Sequence, residues 1–443
     1  MMKSSPVISS KVSTKTNSQG EVVMTPHILA KEILNKIINE NVPFSLALKQ
    51  AFKRNEMQKE EKAIISAIVG CVLRHYLVMS HVVNKQYEGI ESLGLISLLI
   101  ALSNALFIKK LNQAECNKDA ATYLKDGDLK VEDFIEPYLN DKKLVPENIE
   151  VGSFEFLSFR YNTPSEIIKM WSKQFGHIFA NKTLKANSKP GPVVVRIDNK
   201  KISDEDFFIQ YAKDFDPIEG VKGVALFKGE GRFKNHPVSE NAIATPLPLA
   251  YKEMLDEGDV DLLRGVAIYA EYPNDILFDF VSRNENMDKI EYIASSISVA
   301  KSTKNFLNKL AVQNVNVYEA QASSIVTCIS KPVHTFIVMP DSSRFNLLQL
   351  LPDYFLRFDM SKLDELIANQ KLALKEASEQ VEDDGYLIYF VDTLSKKESI
   401  NIINEFLAEN TNFTLVKDKL YFPYKKYGGS MYFAVLKKHK QND

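Results

Sequence analysis

Between Pro246 and the C-terminus, short apolar runs alternate with amphipathic stretches, and few folds accommodate that alternation. Strands are expected at Val266–Ala270, Ile290–Ala294, Val315–Glu319, Thr335–Met339 and Leu387–Val391, with helices such as Ile297–Leu310 and Leu363–Val381 between them. Strands that are apolar at consecutive positions need cover on both faces, which parallel strands joined by helices supply. Ser395-Lys-Lys-Glu398 has the spacing of a capping box, with Ile400–Leu407 as the helix it opens. The pattern then changes. Lys419–Phe422 and Met431–Lys437, joined through Lys425-Lys-Tyr-Gly-Gly-Ser430, read as an antiparallel hairpin that closes the sheet. The expectation for residues 246–443 is a parallel α/β sheet with a terminal hairpin.

Upstream, residues 25–147 show helical periodicity alone. Ile28, Leu29, Ile33, Leu34, Ile37 and Ile38 form a wide apolar face. Leu46, Leu48, Ala51 and Phe52 continue it in the next helix, and Ala63, Ile64, Ala67, Ile68, Cys71 and Val72 make another stripe. Leu93–Phe107 is the most apolar stretch, but it is short and interrupted by Ser97, Ser103 and Asn104. A central bundle helix is expected there rather than a membrane span. Residues 148–245 are mixed: a helix from Pro164 to Phe175, strands at Pro192–Asp198 and Gly223–Lys228, and a helix over Asp204–Phe215 between them. A small α+β module fits. Residues 1–24 are polar, lack a signal peptide's apolar segment, and are expected to form a disordered tail.

A formal net charge of -2 over 443 residues leaves no overall field to attract nucleic acid, so a basic footprint must be local. Three cysteines (Cys71, Cys116, Cys328) and seven histidines lie too far apart for a disulfide framework or a metal site. A reducing, cytoplasmic setting without a membrane is expected.

Several segments together carry a resemblance. They are Ile68-Val-Gly-Cys-Val-Leu-Arg74, Pro164-Ser-Glu-Ile-Ile with Val194-Val-Arg-Ile-Asp198, Pro352-Asp353, Gln370, Gly385-Tyr-Leu-Ile-Tyr389, Glu398 and Tyr432-Phe-Ala-Val-Leu-Lys437. Their order over some four hundred residues resembles the bacterial small-subunit ribosomal RNA cytosine-5 methyltransferases of the Sun or Fmu family. The resemblance implies an all-α NusB-like N-terminal domain (25–147), a small α+β RNA-binding module (148–245) and a Rossmann-like methyltransferase domain (246–443). It also implies S-adenosylmethionine as cofactor and a cysteine nucleophile.

The family's functional motifs are replaced. The glycine turn that holds the cofactor's methionine end falls on Ile268–Asp275, with Pro273 kept and Asn274 and Asp275 in place of two glycines. The acidic ribose ligand after the second strand falls on Ala294, with Ser296 at a nearby acidic position, and the carboxylate expected beside the adenine falls near Gln321. The Asp-Ala-Pro-Cys motif becomes Pro340-Asp-Ser-Ser-Arg344, which places the cysteine position at Ser343 or Arg344. The second cysteine position is Asp392. A thiolate adds to a pyrimidine ring, whereas a carboxylate or an un-ionised hydroxyl does so poorly. Asp341, Ser342, Ser343 and Asp392 converge at strand ends without a histidine or lysine base, since His334 begins the fourth strand at the opposite end. A hydrolase or metal centre is therefore the weaker reading. Lys228-Gly-Glu-Gly-Arg-Phe233 is expected to be an ordinary turn.

Lys417 to Lys440 interleaves lysines with Tyr421, Phe422, Tyr424, Tyr427, Tyr432 and Phe433, a mixture that serves RNA phosphates and bases but also serves a terminal hairpin. The residues singled out for RNA are Lys425, Lys426, Tyr427, Lys437 and Arg196. The expectation is a cytoplasmic pseudoenzyme that binds ribosomal RNA or a ribonucleoprotein, with no cofactor and no metal. The alternatives are an active S-adenosylmethionine-dependent RNA (cytosine-5)-methyltransferase, for which only Cys328 lies near a relevant strand, and a scaffold that meets a protein partner through its helical domain.

Overall fold

The structure, a computed structural model, describes residues 15–16, 22–124, 148–189, 191–229, 233–258, 260–272, 276–283 and 286–440. Apart from the antiparallel pair Lys15–Thr16 (β1) and Val22–Val23 (β2), the expected tail lies outside them. The chain divides into two compact units: residues 1–169 with 351–358, and residues 170–350 with 359–443.

The first unit is helical, as its periodicity requires. Helices Pro26–Ile38, Phe44–Arg54, Lys59–Arg74, Tyr76–Gln86 and Ser92–Ser103 pack around one apolar core. Pro26 opens the first helix, where its missing N–H costs nothing. Ser92–Ser103 is buried on nearly every side, and it ends in a π-helical turn at Asn104–Ile108. The buried Asn104 side chain accepts from the backbone N–H groups of Lys110 and Leu111 and donates to the Leu111 carbonyl, which stops the helix there. Three core assignments are corrected. Leu46 is exposed, and Ala47 takes its place inside. Ala63 and Ala67 are exposed, with Ile65 and Val69 inside instead. Among the described residues no single helix is long and apolar enough to cross a membrane.

The second unit holds two sheets. The smaller comprises Val193–Ile197 (β3), Phe215–Pro217 (β4), Val224–Phe227 (β5) and Ala244–Pro246 (β6), antiparallel in the order β4-β5-β3-β6. Its helix stops at Gln210, earlier than periodicity suggested. Phe215 leaves the helix because β4 pairs with β5, opposite Phe227, and its ring joins Phe207 and Phe233 in the core.

The larger sheet is built from Val266–Ala270 (β7), Ile290–Ala294 (β8), Val315–Glu319 (β9), Val333–Met339 (β10), Val381–Val391 (β11), Phe413–Tyr421 (β12) and Met431–Lys438 (β13). The order is β12-β13-β11-β10-β7-β8-β9, and β13 runs opposite to the other six strands. Both faces are covered by separate apolar cores, one under the helix Leu249–Glu257 and one under the helix Leu363–Glu379. The chain order turns back between β7 and β10, so the crevice beyond their carboxyl ends is where a sheet of this kind places a site.

Candidate functional site

At that crevice the polar side chains satisfy one another. Asp392, one residue past β11, is only 2% exposed and accepts a hydrogen bond from the Tyr272 hydroxyl at 2.7 Å. Tyr272 lies two residues past β7, and the Arg344 guanidinium sits over its ring, 4.4 Å from the centroid. Burial pushes the Asp392 carboxyl up to about 6, although the Tyr272 hydroxyl, Arg344 and Asn346 pull it partly back. Burial and the adjoining Asp392 raise the Tyr272 phenol well above its ordinary value. Arg344 itself holds a left-handed backbone (φ 53°), costly for a residue with a Cβ.

A second cluster lies beside the first. The fully buried Glu398 accepts from the Ser343 backbone N–H at 2.7 Å, the Thr393 hydroxyl at 2.7 Å and the Gln370 amide at 3.2 Å. Ser343 Oγ meets Thr393 Oγ1 at 2.9 Å, and Gln370 also donates to the Asp341 carbonyl. Burial raises the Glu398 carboxyl, and these donors offset part of the rise. The capping-box expectation is therefore corrected. Lys396–Glu398 forms a separate 3₁₀ turn, the helix is Ile400–Glu409, and the Glu398 carboxylate faces the loop after β10 instead of a helix end.

Both expected cysteine positions thus stand at the crevice without sulfur. Cys71 and Cys116 belong to the helical unit. Cys328 ends a 3₁₀ stretch five residues before β10 begins, whereas Ser342 and Ser343 follow that strand's other end. Burial raises its thiol, which disfavours the thiolate. His334 is buried near the start of β10 and packs its ring against Tyr386, away from the crevice as expected.

Of the expected cofactor positions, Pro273, Asn274 and Asp275 lie outside the described residues. Ala294 ends β8 with a buried methyl group. Gln321 donates its amide to the Ser295 carbonyl at 2.7 Å, Ser295 donates to the Glu271 carbonyl, and Ser296 accepts from the Val299 N–H at the start of the helix Ile297–Lys309. Glu271 takes the Tyr269 hydroxyl. Ala294 thus carries no polar side-chain atom, and the Ser295 and Ser296 hydroxyls bond to neighbouring backbone.

The expected RNA residues separate. Lys425 and Lys426 are exposed in the loop between β12 and β13, beside Tyr424 and a half-buried Tyr427. Lys437 pairs with Tyr386 in the ladder, five residues down β13 from the Tyr432–Val391 pair, roughly 17 Å toward the other end of the sheet. Arg196 is a correction: it is 3% exposed, and its guanidinium donates to Asp279 at 2.6 Å and to the Gly223 carbonyl at 2.9 Å. Arg283 completes the pairing of the fully buried Asp279. Burial alone would raise the Asp279 carboxyl, but Arg283 and Arg196 hold it below its ordinary range. Tyr421, Tyr432 and Phe433 are also core residues, so only Phe422, Tyr424 and Tyr427 of the aromatic series keep partial exposure.

The strand order is that of a mixed, Rossmann-like α/β sheet, consistent with the fold of methyltransferase domains. No family model and no curated protein match the chain. Among solved structures, it is similar to PH0851, at 16% identity and a TM-score of 0.73, over 94% of this chain and 100% of that one. It is also similar to NSun6 from Pyrococcus horikoshii, solved with SFG, at 13% identity and a TM-score of 0.55, over 63% and 99% of the two chains. A methyltransferase homolog protein from Pyrococcus horikoshii follows at 15% identity and a TM-score of 0.54, over 65% and 100%. At such identities the likeness is one of fold.

Proposed function

We propose that this protein is an RNA-associated member of the methyltransferase fold that does not methylate cytosine and does not hold S-adenosylmethionine tightly. The observation that carries the reading is the closed Tyr272–Asp392–Arg344 arrangement at the position where the resembled family keeps its nucleophile. Adding to a pyrimidine there would require a thiolate, and a buried carboxyl already bonded to a phenol supplies none. The fold likeness to NSun6 and to a methyltransferase homolog supports descent from an enzyme scaffold. The helical unit, NusB-like in this reading, would meet a protein partner, and the RNA would be ribosomal and the setting cytoplasmic.

One observation favours a second reading, an active RNA methyltransferase: the shared fold includes NSun6 solved with SFG. Titration calorimetry of the full chain with S-adenosylmethionine separates the two. No heat at micromolar concentrations is expected. Stoichiometric micromolar binding, followed by label transfer to ribosomal RNA, would establish the second reading.

A further inference from the structure

Outside the crevice, one surface of the second unit combines charge, aromatic rings and a fixed shape. Helix His177–Asn187 exposes Lys182 and Lys185 three residues apart, and Lys189 follows two residues beyond its end. Across from them stand Pro423 and Tyr424 of the hairpin loop, and together these residues line a cavity of about 460 Å³.

Three details make this more than scattered surface charge. Among the described residues none of the three lysines pairs with a carboxylate, although the chain as a whole is slightly acidic. The Ala186 carbonyl in the helix's last turn already accepts from the Gln349 amide at 3.1 Å, so no lysine side chain is needed there. The wall is also packed against the fold. Tyr424 stacks on Phe422 with centroids 5.6 Å apart and rings nearly parallel, and Phe422 packs edge-on against Phe179 at 4.9 Å. Lys182 and Lys425 each lie 5.7 Å from the Tyr424 centroid, so positive charge gathers around the one partly exposed ring that faces the groove.

We infer that this groove is a docking site for single-stranded RNA, with Lys182, Lys185 and Lys189 following the phosphates and Tyr424 offering a face to a base. The inference deepens the RNA-association reading and rests on it. At helical spacing the rise from Lys182 to Lys189 is about 10 Å, enough to reach more than one phosphate of a strand. Unpaired lysines beside an ordered aromatic ring are the combination that binds a strand through backbone charge and sequence-tolerant stacking. A duplex would leave Tyr424 without a base to stack on, since paired bases are stacked on one another.

The test is fluorescence anisotropy with a labelled 12-nucleotide oligouridine across a salt series. It compares the full chain, a Lys182→Ala/Lys185→Ala/Lys189→Ala variant, Tyr424→Ala, and a Lys301→Ala/Lys304→Ala control on the exposed face of helix Ile297–Lys309. Expected are at least tenfold weaker binding in the triple variant, a salt slope shallower by about 2 (roughly 0.7 for each phosphate no longer neutralised), severalfold weaker binding for Tyr424→Ala, and no change in the control. Exchanging the three lysines for arginine should restore binding. If the wild-type chain binds oligouridine and the triple variant binds equally well, the groove is wrong while RNA association stands. If the wild-type chain binds no RNA at low salt, the functional reading fails and this inference with it. Equal competition by polyglutamate would assign the groove to an acidic peptide and overturn the RNA assignment.

Discussion

Asp392 illustrates how one substitution alters both chemistry and stability. Its carboxyl titrates near 6 in the folded chain, against about 3.9 in an unfolded one. A raised carboxyl binds more protons folded than unfolded between those values, so its contribution to stability falls as pH rises through that window. At neutral pH the buried charge costs about 3 kcal/mol relative to acid conditions. Asp392→Asn keeps an acceptor for Tyr272 without the charge. It should raise the unfolding free energy at pH 7.5 by about 2–3 kcal/mol, and the advantage should vanish below pH 4. Equal effects at both pH values in urea denaturation would show that the carboxyl is not the source. The sequence marked Asp392 as a departure from the resembled family, but nothing local marked its partner. Tyr272 lies 120 residues away along the chain. Arg196 was misread for the same reason: an arginine on a strand looks like surface charge until a buried Asp279, 83 residues distant, is placed against it.

At the scale of elements, apolar runs were legible as strands, and the charged stretches of β11 and β12 were not. β7 has the bounds expected from its apolar run, because burial on both sides demands apolar residues at every position, and β8 and β9 keep their expected bounds although Glu291, Asn316 and Glu319 interrupt their runs. β11 begins at Val381, well before Leu387, since Glu382, Asp383 and Asp384 are exposed and carry no apolar signal. β12 is an edge strand with charged, exposed positions, so only its last residues read as strand. The loop between β12 and β13 depends on Gly428, which holds φ +67° and would bring a Cβ within 2.9 Å of the Pro192 ring. Gly428→Ala should cost about 1–2 kcal/mol for the left-handed backbone, plus the displacement of Pro192. Gly220→Ala, at φ +76° with open space around it, isolates the backbone part. Equal destabilisation of the two variants in urea would mean that the Pro192 ring imposes nothing.

At the scale of the molecule, chain order and spatial membership differ. Residues 351–358 follow the loop after β10 yet belong to the helical unit. There Asp353, fully buried, accepts from the Phe44 backbone N–H at 2.9 Å and from Arg357 at 2.8 Å. Asp353→Ala would strip the first turn of helix Phe44–Arg54 of its acceptor and leave Arg357 without its partner, a cost of about 3 kcal/mol. Hydrogen exchange should then quicken in residues 44–54 while the strands of the larger sheet keep their protection. Unchanged exchange at 44–54 would remove Asp353 from that role. Residue order alone sufficed for the helical character of residues 26–124 and for an α/β sheet with a terminal hairpin, because burial pattern and period are written locally in apolar spacing. Which polar groups meet was settled by folding, since Tyr272 with Asp392, Glu398 with Ser343, and the lysines after His177 beside Tyr424 are joined across long stretches of chain. Such pairings depend on strand order and register, and no spacing within a segment encodes them.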